Sequence, residues 1–209
     1  MPLTPFHVGP GLFIPLLFMN IVDLPTFLIA SVIIDIEPIL VLSLNLQYPV
    51  HGLLHTFLGG TIVAIILAVF MIKARKFFSP AMSFLRLEQK WSFSSILIAA
   101  LSGIYLHLFL DAQMHQDMQP FFPFAGNPLL DQSSLSGLMP EVFCVWCFFG
   151  AVMIYSVRLV SSARKPPKKP QKSSAQQPPA VNNARARAEK PQAFMHEGTN
   201  IMGNAGCNG

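Results

Sequence analysis

Three long apolar segments constrain this chain more than any other feature of its sequence. They cover residues 53–72, 93–110 and 138–160. Each is long enough to cross a bilayer as a helix, because a helix rises about 1.5 Å per residue and the hydrocarbon core is about 30 Å thick. Lipid cannot satisfy the hydrogen bonds of an open backbone, so a spanning segment of this kind has to be helical. The sequence therefore predicts an all-α, polytopic membrane bundle with three full spans.

The composition agrees with a membrane protein and argues against a nucleic-acid-binding one. Charged residues make up 11% of the chain and hydrophobic residues 52%, whereas soluble domains average about 25% charged residues. The basic residues cluster between 73 and 90 and again from 158 onward, which is a pattern of membrane topology. The start of the chain lacks the basic region of a signal peptide. Three cysteines are too few for a disulfide framework.

The N-terminal region allows two arrangements. Residues 11–22 and 26–34 are apolar but are separated by Asp23-Leu24-Pro25, and each piece would form only about 18 Å of helix. One arrangement is a single span kinked at Pro25, and the other is a re-entrant pair of half-helices that turns there. We favour the re-entrant pair because it brings His7 and Asp35 to the same side as the other histidines.

The positions of the basic residues predict the orientation and the domain organisation. Loops rich in Lys and Arg stay in the cytoplasm, so residues 73–90 and those after 158 are expected there, with His51 and residues 111–138 on the opposite side. Residues 1–162 then form the membrane domain. Residues 163–209 are rich in Pro, Lys, Ala and Gln and are predicted to be a disordered cytoplasmic tail.

Histidines and an aspartate recur at helical spacing near the non-cytoplasmic ends of two predicted spans. His51 and His55 are four residues apart, and so are His107, Asp111 and His115 in turn. Residues at i and i+4 share one face of a helix. Two antiparallel neighbouring helices would therefore present these side chains to each other at the same depth.

Such a group of polar residues beside the hydrocarbon requires compensation. An ionisable residue at the centre of a membrane helix costs about 2.5–3.5 kcal/mol, and a shared cation offsets that cost. Imidazole and carboxylate are the usual ligands of Zn²⁺, while Mn²⁺ and Mg²⁺ are alternatives. The sequence predicts one or two divalent ions bound by His51, His55, His107, Asp111 and His115, with His7 and Asp35 as further metal ligands or as residues that hold the ligands.

A metal-bound water is a nucleophile near neutral pH, and a spare carboxylate can act as its general base. Asp35 and Glu37 are the predicted catalytic residues. The alternative for Glu37, and also for Asp117, is a solvated charge at the membrane boundary. Cys144 and Cys147 have zinc-like spacing but lie inside a predicted span, so we expect them to pack as small apolar residues.

Four motifs resemble one family. "TPFHVGPGL", "DIEP", "HGLLHT" and "LHLFLDAQMHQDMQPFFPF" occur in this order between Thr4 and about Pro128. They are similar to membrane-bound, predicted metal-dependent hydrolases of bacteria and archaea, a family that includes an SOS-regulated inner-membrane member. The resemblance implies the ligand set named above, a hydrolase activity and a location in the inner or cell membrane. Many members read Asp-x-Asp-His where this chain has Asp35-Ile36-Glu37-Pro38.

Together these features predict an integral membrane metal-dependent hydrolase. Its substrate would be a phosphoester or a lipid-linked molecule at the non-cytoplasmic interface, where membrane lipids are its partners. The alternative is a non-enzymatic membrane protein, either a metal-ion carrier or a structural bundle. A carrier needs ligands near the middle of the membrane with access from both sides, whereas the polar residues here crowd one end.

Overall fold

The computed structural model of the chain describes residues 4–133 and 138–163, and every regular element in those residues is a helix. Short 3₁₀ turns cover Thr4–His7, Ile33–Asp35 and Leu53–His55. The α-helices are α1 (Val8–Leu17), α2 (Leu24–Ala30), α3 (Ile36–Ser43), α4 (Phe57–Phe84), α5 (Phe93–Ala112) and α6 (Leu138–Ala163). The predicted all-α class is confirmed. The predicted tail, apart from Ala163 at the end of α6, lies outside the described residues.

Four segments are long and apolar enough to cross a membrane, as expected of a membrane protein. They are Leu24–Ser43, Phe57–Phe84, Phe93–Ala112 and Leu138–Ser162. The last three overlap the three spans predicted from the sequence. The first joins α2 to α3 through a 3₁₀ turn, so the second member of the N-terminal pair is longer than residues 26–34.

The N-terminal helices α1 and α2 form a hairpin with its turn before Asp23. Asp23 caps α2, since its Oδ2 accepts hydrogen bonds from the Thr26 backbone N–H at 3.2 Å and from Thr26 Oγ1 at 2.6 Å. Its Oδ1 lies 2.6 Å from Nε of Arg75. At the other end of the hairpin, His7 and Asp35 both reach the C-terminal turns of α5. The chain therefore reverses direction, as in the paired arrangement and unlike a single kinked span.

Helix α4 continues well past the predicted span, which changes the position of several basic residues. The helix ends at Phe84 rather than near 72, so Lys73 and Lys76 lie on it and not in a loop. Arg75 is 2% exposed and pairs with Asp23. Only Arg86 and Lys90 of that basic cluster lie in the connection to α5.

Small residues let the helices approach α5 closely. At Gly103, a Cβ atom would lie 2.7 Å from Cβ of Ala30 and 2.9 Å from the carbonyl oxygen of Phe27. At Gly60, a Cβ atom would lie 2.9 Å from Ile104. Helices α2 and α4 therefore pack directly against α5. This packing brings residues 31–37 and 51–57 to the C-terminal end of α5, where the candidate site lies.

Candidate metal centre

The last two turns of α5 supply the first two side chains of the candidate site. His107 and Asp111 share one face of α5 and are almost fully buried. Nδ1 of His107 lies 2.8 Å from the carbonyl oxygen of Ser31. Since a carbonyl can only accept, Nδ1 carries the proton, and in the neutral ring Nε2 has a free lone pair. That Nε2 lies 3.1 Å from Oδ2 of Asp111 and 3.4 Å from Oδ1 of Asp35.

His55 is oriented in the same way, by Glu37. Nδ1 of His55 lies 2.8 Å from Oε2 of Glu37. The Glu37 carboxylate also accepts the backbone N–H groups of Leu54 and His55, each at 3.2 Å. Metal-binding histidines usually donate their second ring nitrogen to a carboxylate or a carbonyl. Both His55 and His107 have this arrangement, and Nε2 of each is left for another partner.

A buried set of donor atoms results from this packing. Asp35, His55, His107 and Asp111 each offer a ligand atom, and the four atoms all lie within 4.8 Å of one another. His7 borders the set, with its Nε2 3.1 Å from Oδ1 of Asp111 and its ring 4.3 Å from that of His107. We call Asp35, His55, His107 and Asp111 the inner group.

Several of these buried atoms have no hydrogen-bond partner among the described residues. They are His7 Nδ1, Asp35 Oδ2, His55 Nε2, His107 Nε2 and Asp111 Oδ1. Buried polar atoms are rarely left in this state. The ring nitrogens and carboxylate oxygens that lie 3.1–3.4 Å apart in this region are not aligned as hydrogen bonds. Nitrogen and oxygen donors this close together can hold a divalent cation.

A second set of donor atoms lies beside the first. His51, His115 and Asp117 also offer ligand atoms within 4.8 Å of one another, and we call them the outer group. Nδ1 of His51 lies 2.9 Å from Oδ2 of Asp117. The rings of His51 and His115 stack with centroids 4.0 Å apart. The rings of His51 and His55 are 5.0 Å apart, so the two groups are neighbours.

The surroundings of His115 favour a neutral imidazole, and those of Asp117 favour an ionised carboxylate. Burial, followed by the nearby charge of His51, lowers the pKa of His115 below its usual value. Burial opposes the charged form of Asp117, but the hydrogen bond and charge of His51 and two backbone hydrogen bonds together outweigh that effect and lower the pKa of the carboxyl group. These are the protonation states that metal ligands require.

The helical face predicted for His51 and His55 is not formed, and the face of His107 and Asp111 ends before His115, although all these side chains do meet. Helix α4 begins at Phe57, because Oγ1 of Thr56 accepts the Gly59 N–H at 2.9 Å and caps the helix. His51 and His55 therefore lie in the preceding turn. His115 likewise lies beyond Ala112, the last residue of α5. Only His107 and Asp111 share a helical face as predicted.

Hydrogen bonds between loops, and not a shared helical face, hold these positions close together. The side-chain amide of Asn127 donates to the carbonyl oxygens of Ala112 and His115, at 2.6 and 3.1 Å. The N–H of Phe57 donates to the carbonyl of Pro120 at 2.8 Å. These bonds hold the segment after α5 against the start of α4. Asp117 and His51 are thereby brought together.

The structure brings all the residues predicted as ligands to one end of the bundle. It also adds Asp117, which sequence reasoning left as a boundary charge; its two-residue separation from His115 was the available signal. Glu37 is buried and hydrogen-bonded to His55, not solvated. Catalytic roles for Asp35 and Glu37 stay predictions. Cys144 and Cys147 are free and buried, in agreement with packing as small apolar residues.

A cavity of about 310 Å³ adjoins the outer group. His51, Asp117, Thr56 and Gln119 supply its polar lining. Tyr48, Leu53 and Phe122 line it as well, and each is about half exposed. The cavity therefore combines polar groups with a large apolar surface, which suits an amphiphilic molecule.

Comparisons of the chain with protein-family models, curated proteins and solved structures gave no match. The resemblance to membrane-bound metal-dependent hydrolases stays a prediction. The function of this chain is therefore inferred from the geometry of the two groups.

Proposed function

We propose that this chain is an integral membrane metal-dependent hydrolase with a divalent cation at the inner group, most readily Zn²⁺ and alternatively Mn²⁺ or Mg²⁺. The observation that carries the proposal is the convergence of four buried ligand atoms within 4.8 Å, several of them without hydrogen bonds among the described residues. Each unsatisfied buried polar atom costs about 1–3 kcal/mol. A cation bound by the four side chains offsets that cost.

The residues around the inner group have different proposed roles. A bound cation of this kind lowers the pKa of a coordinated water towards about 7 and so supplies a nucleophile. Asp35 is the proposed proton acceptor, since its Oδ2 has no hydrogen-bond partner among the described residues, whereas Asp111 lies between the rings of His7 and His107. Glu37 and the Ser31 carbonyl hold the rings of His55 and His107. His7 beside Asp111 is suited to pass a proton to a leaving group.

The proposed substrate is a phosphoester carried by a membrane lipid or by a lipid-linked molecule. The lining of the cavity supports this class, since its apolar residues suit an acyl or polyprenyl chain while His51 and Asp117 adjoin the headgroup end. The proposed side is the non-cytoplasmic one of a bacterial or archaeal membrane. Arg86 and Lys90 support it, because they lie in the connection at the opposite end of α4 from His55 and basic loops stay in the cytoplasm.

The test combines metal analysis with an activity assay. Full-length protein purified in mild detergent is loaded with Zn²⁺ or Mn²⁺, desalted and analysed for metal. It is then assayed for phosphate release from phospholipid vesicles and from a soluble phosphomonoester. We expect retained metal, and hydrolysis that a chelator abolishes and added metal restores.

Matched variants connect that activity to the site. Asp111→Asn removes an inner-group carboxylate and is expected to lose the inner-group metal and hydrolysis, while Asp131→Asn, in the loop after α5, keeps both. If the wild type retains no metal after loading, the proposal is wrong. Metal-dependent uptake of Zn²⁺ into proteoliposomes without hydrolysis would instead identify a carrier. A wild type without hydrolysis, together with a folded Asp111→Asn variant that behaves like it, would point to a structural bundle.

A further inference from the structure

We propose that the outer group, His51, His115 and Asp117, binds a second divalent cation, which faces the substrate cavity. The inference depends on the proposed function only for the catalytic use of this ion, because none of its three ligands belongs to the inner group. The two sites together would form a binuclear centre. Its substrate class is a phosphoester, for which paired cations act on both the attacking and the leaving oxygens.

The geometry of the outer group is that of a set of ligands. Two imidazoles and one carboxylate offer atoms within 4.8 Å of one another, and two His with one carboxylate is an established set for a catalytic cation. The three residues come from two separate parts of the chain, residue 51 before α4 and residues 115–117 after α5. The loop bonds of Asn127 and Phe57 hold these two parts in place.

A simple His–Asp ion pair does not account for the whole arrangement. It explains the contact between His51 and Asp117 but not His115. The His115 ring stacks on His51 at 4.0 Å with an interplanar angle of 29°. No described residue makes a hydrogen bond to either ring nitrogen of His115. A cation bound beside both rings would give one of these nitrogens a partner, since neutral imidazole is a common metal ligand.

The two groups differ in how deeply their side chains are buried. All four residues of the inner group are buried, whereas His115 is partly buried and the Asp117 side chain is 46% exposed. His51 and Asp117 line the cavity. A cation at the outer group would have a side open to the cavity, as catalytic metal sites keep one coordination position open to water or substrate. A cation at the inner group would lie deeper beside it, so the outer group is the one placed to bind a substrate oxygen.

The experiment is a count of bound ions in the full-length protein in detergent. The wild type, His115→Gln, Asp117→Asn and Asp131→Asn are loaded with Zn²⁺ alone, desalted and analysed for zinc per chain. We expect about two equivalents for the wild type and about one for each of the outer-group variants, as for a two-cation site. Asp131→Asn is the matched control, since its carboxylate bonds to Ser133 in the same loop, and it should keep about two.

Asp117→Asn is the decisive variant. Asparagine still offers an oxygen to Nδ1 of His51, so a residue that only orients His51 leaves the zinc count unchanged, and that result overturns the second site. A wild type with a single equivalent overturns it as well. Circular dichroism and gel filtration check that each variant is folded. If His115→Gln does not fold, His115→Asn takes its place. A wild type with two equivalents but no hydrolysis supports the second site and refutes the proposed activity instead.

Discussion

Glu37→Gln tests whether this carboxylate orients a metal ligand or acts as the general base. The two oxygens of Glu37 accept three N–H groups: the backbone of Leu54, the backbone of His55 and Nδ1 of the His55 ring. Glutamine keeps one acceptor oxygen, and its amide nitrogen can only donate. At least one of the three N–H groups therefore loses its acceptor, and the His55 ring loses its negative partner.

The expected effect is a weaker metal site. Loss of a group that holds a ligating histidine typically costs 10–100-fold in metal affinity, which corresponds to about 1.4–2.8 kcal/mol. Glu37 is 8% exposed and His55 is fully buried, so water cannot readily replace the lost acceptor. We therefore expect a value towards the upper half of this range, about 30–100-fold.

A chelator competition in detergent measures the affinity of the inner group. The Zn²⁺ affinities of the wild type and Glu37→Gln are compared with that of Glu88→Gln, which makes the same change at an exposed residue between α4 and α5. An affinity within twofold of the wild type, in a folded variant, would refute the orienting role. If hydrolysis then falls without loss of metal, Glu37 is the general base predicted from the sequence.

Two further substitutions test the packing that positions the site. Arg75→Met leaves the buried Asp23 carboxylate without its cationic partner, and we expect the free energy of unfolding to fall by about 3–5 kcal/mol. The control is Arg86→Met, at an exposed arginine, which should be nearly neutral. Equal effects of the two substitutions would contradict a stabilising role for the buried ion pair. Gly103→Leu forces α5 away from Ala30 and the Phe27 carbonyl, which should cost about 1–3 kcal/mol. Thermal unfolding in detergent measures both, and a Gly103→Leu variant as stable as the wild type would show that α2 can shift freely.

Some of the candidate site follows from local sequence patterns. The spacing of His107 and Asp111 predicts a shared face on α5, and the structure has it. Charged residues next to long apolar segments are conspicuous because their burial is costly. For that reason a polar group at one end of the bundle was predictable, even though the turns that carry His51, His55 and His115 were mistaken for helix.

Other parts of the site depend on contacts between distant residues. Asp117 lies 66 positions from His51, and the Ser31 carbonyl lies 76 positions from His107. No periodic pattern links such residues, because each contact exists only after α2 and α4 have packed on α5. Arg75 is a further example. Its charge suggested a position in a loop, but it lies inside α4, where it is buried against Asp23, 52 positions away in the sequence.

By itself, the sequence of this protein determined an all-helical membrane fold and the chemical types gathered at one end of it. These follow from hydropathy and residue type, which are properties of short segments. Only the tertiary structure decided which ring nitrogen of His55 and of His107 is free, and that the ligands separate into an inner and an outer group. The physical reason is that hydrogen-bond partners and burial are set by how helices pack, and small residues such as Gly60 and Gly103 allow that packing only between particular faces.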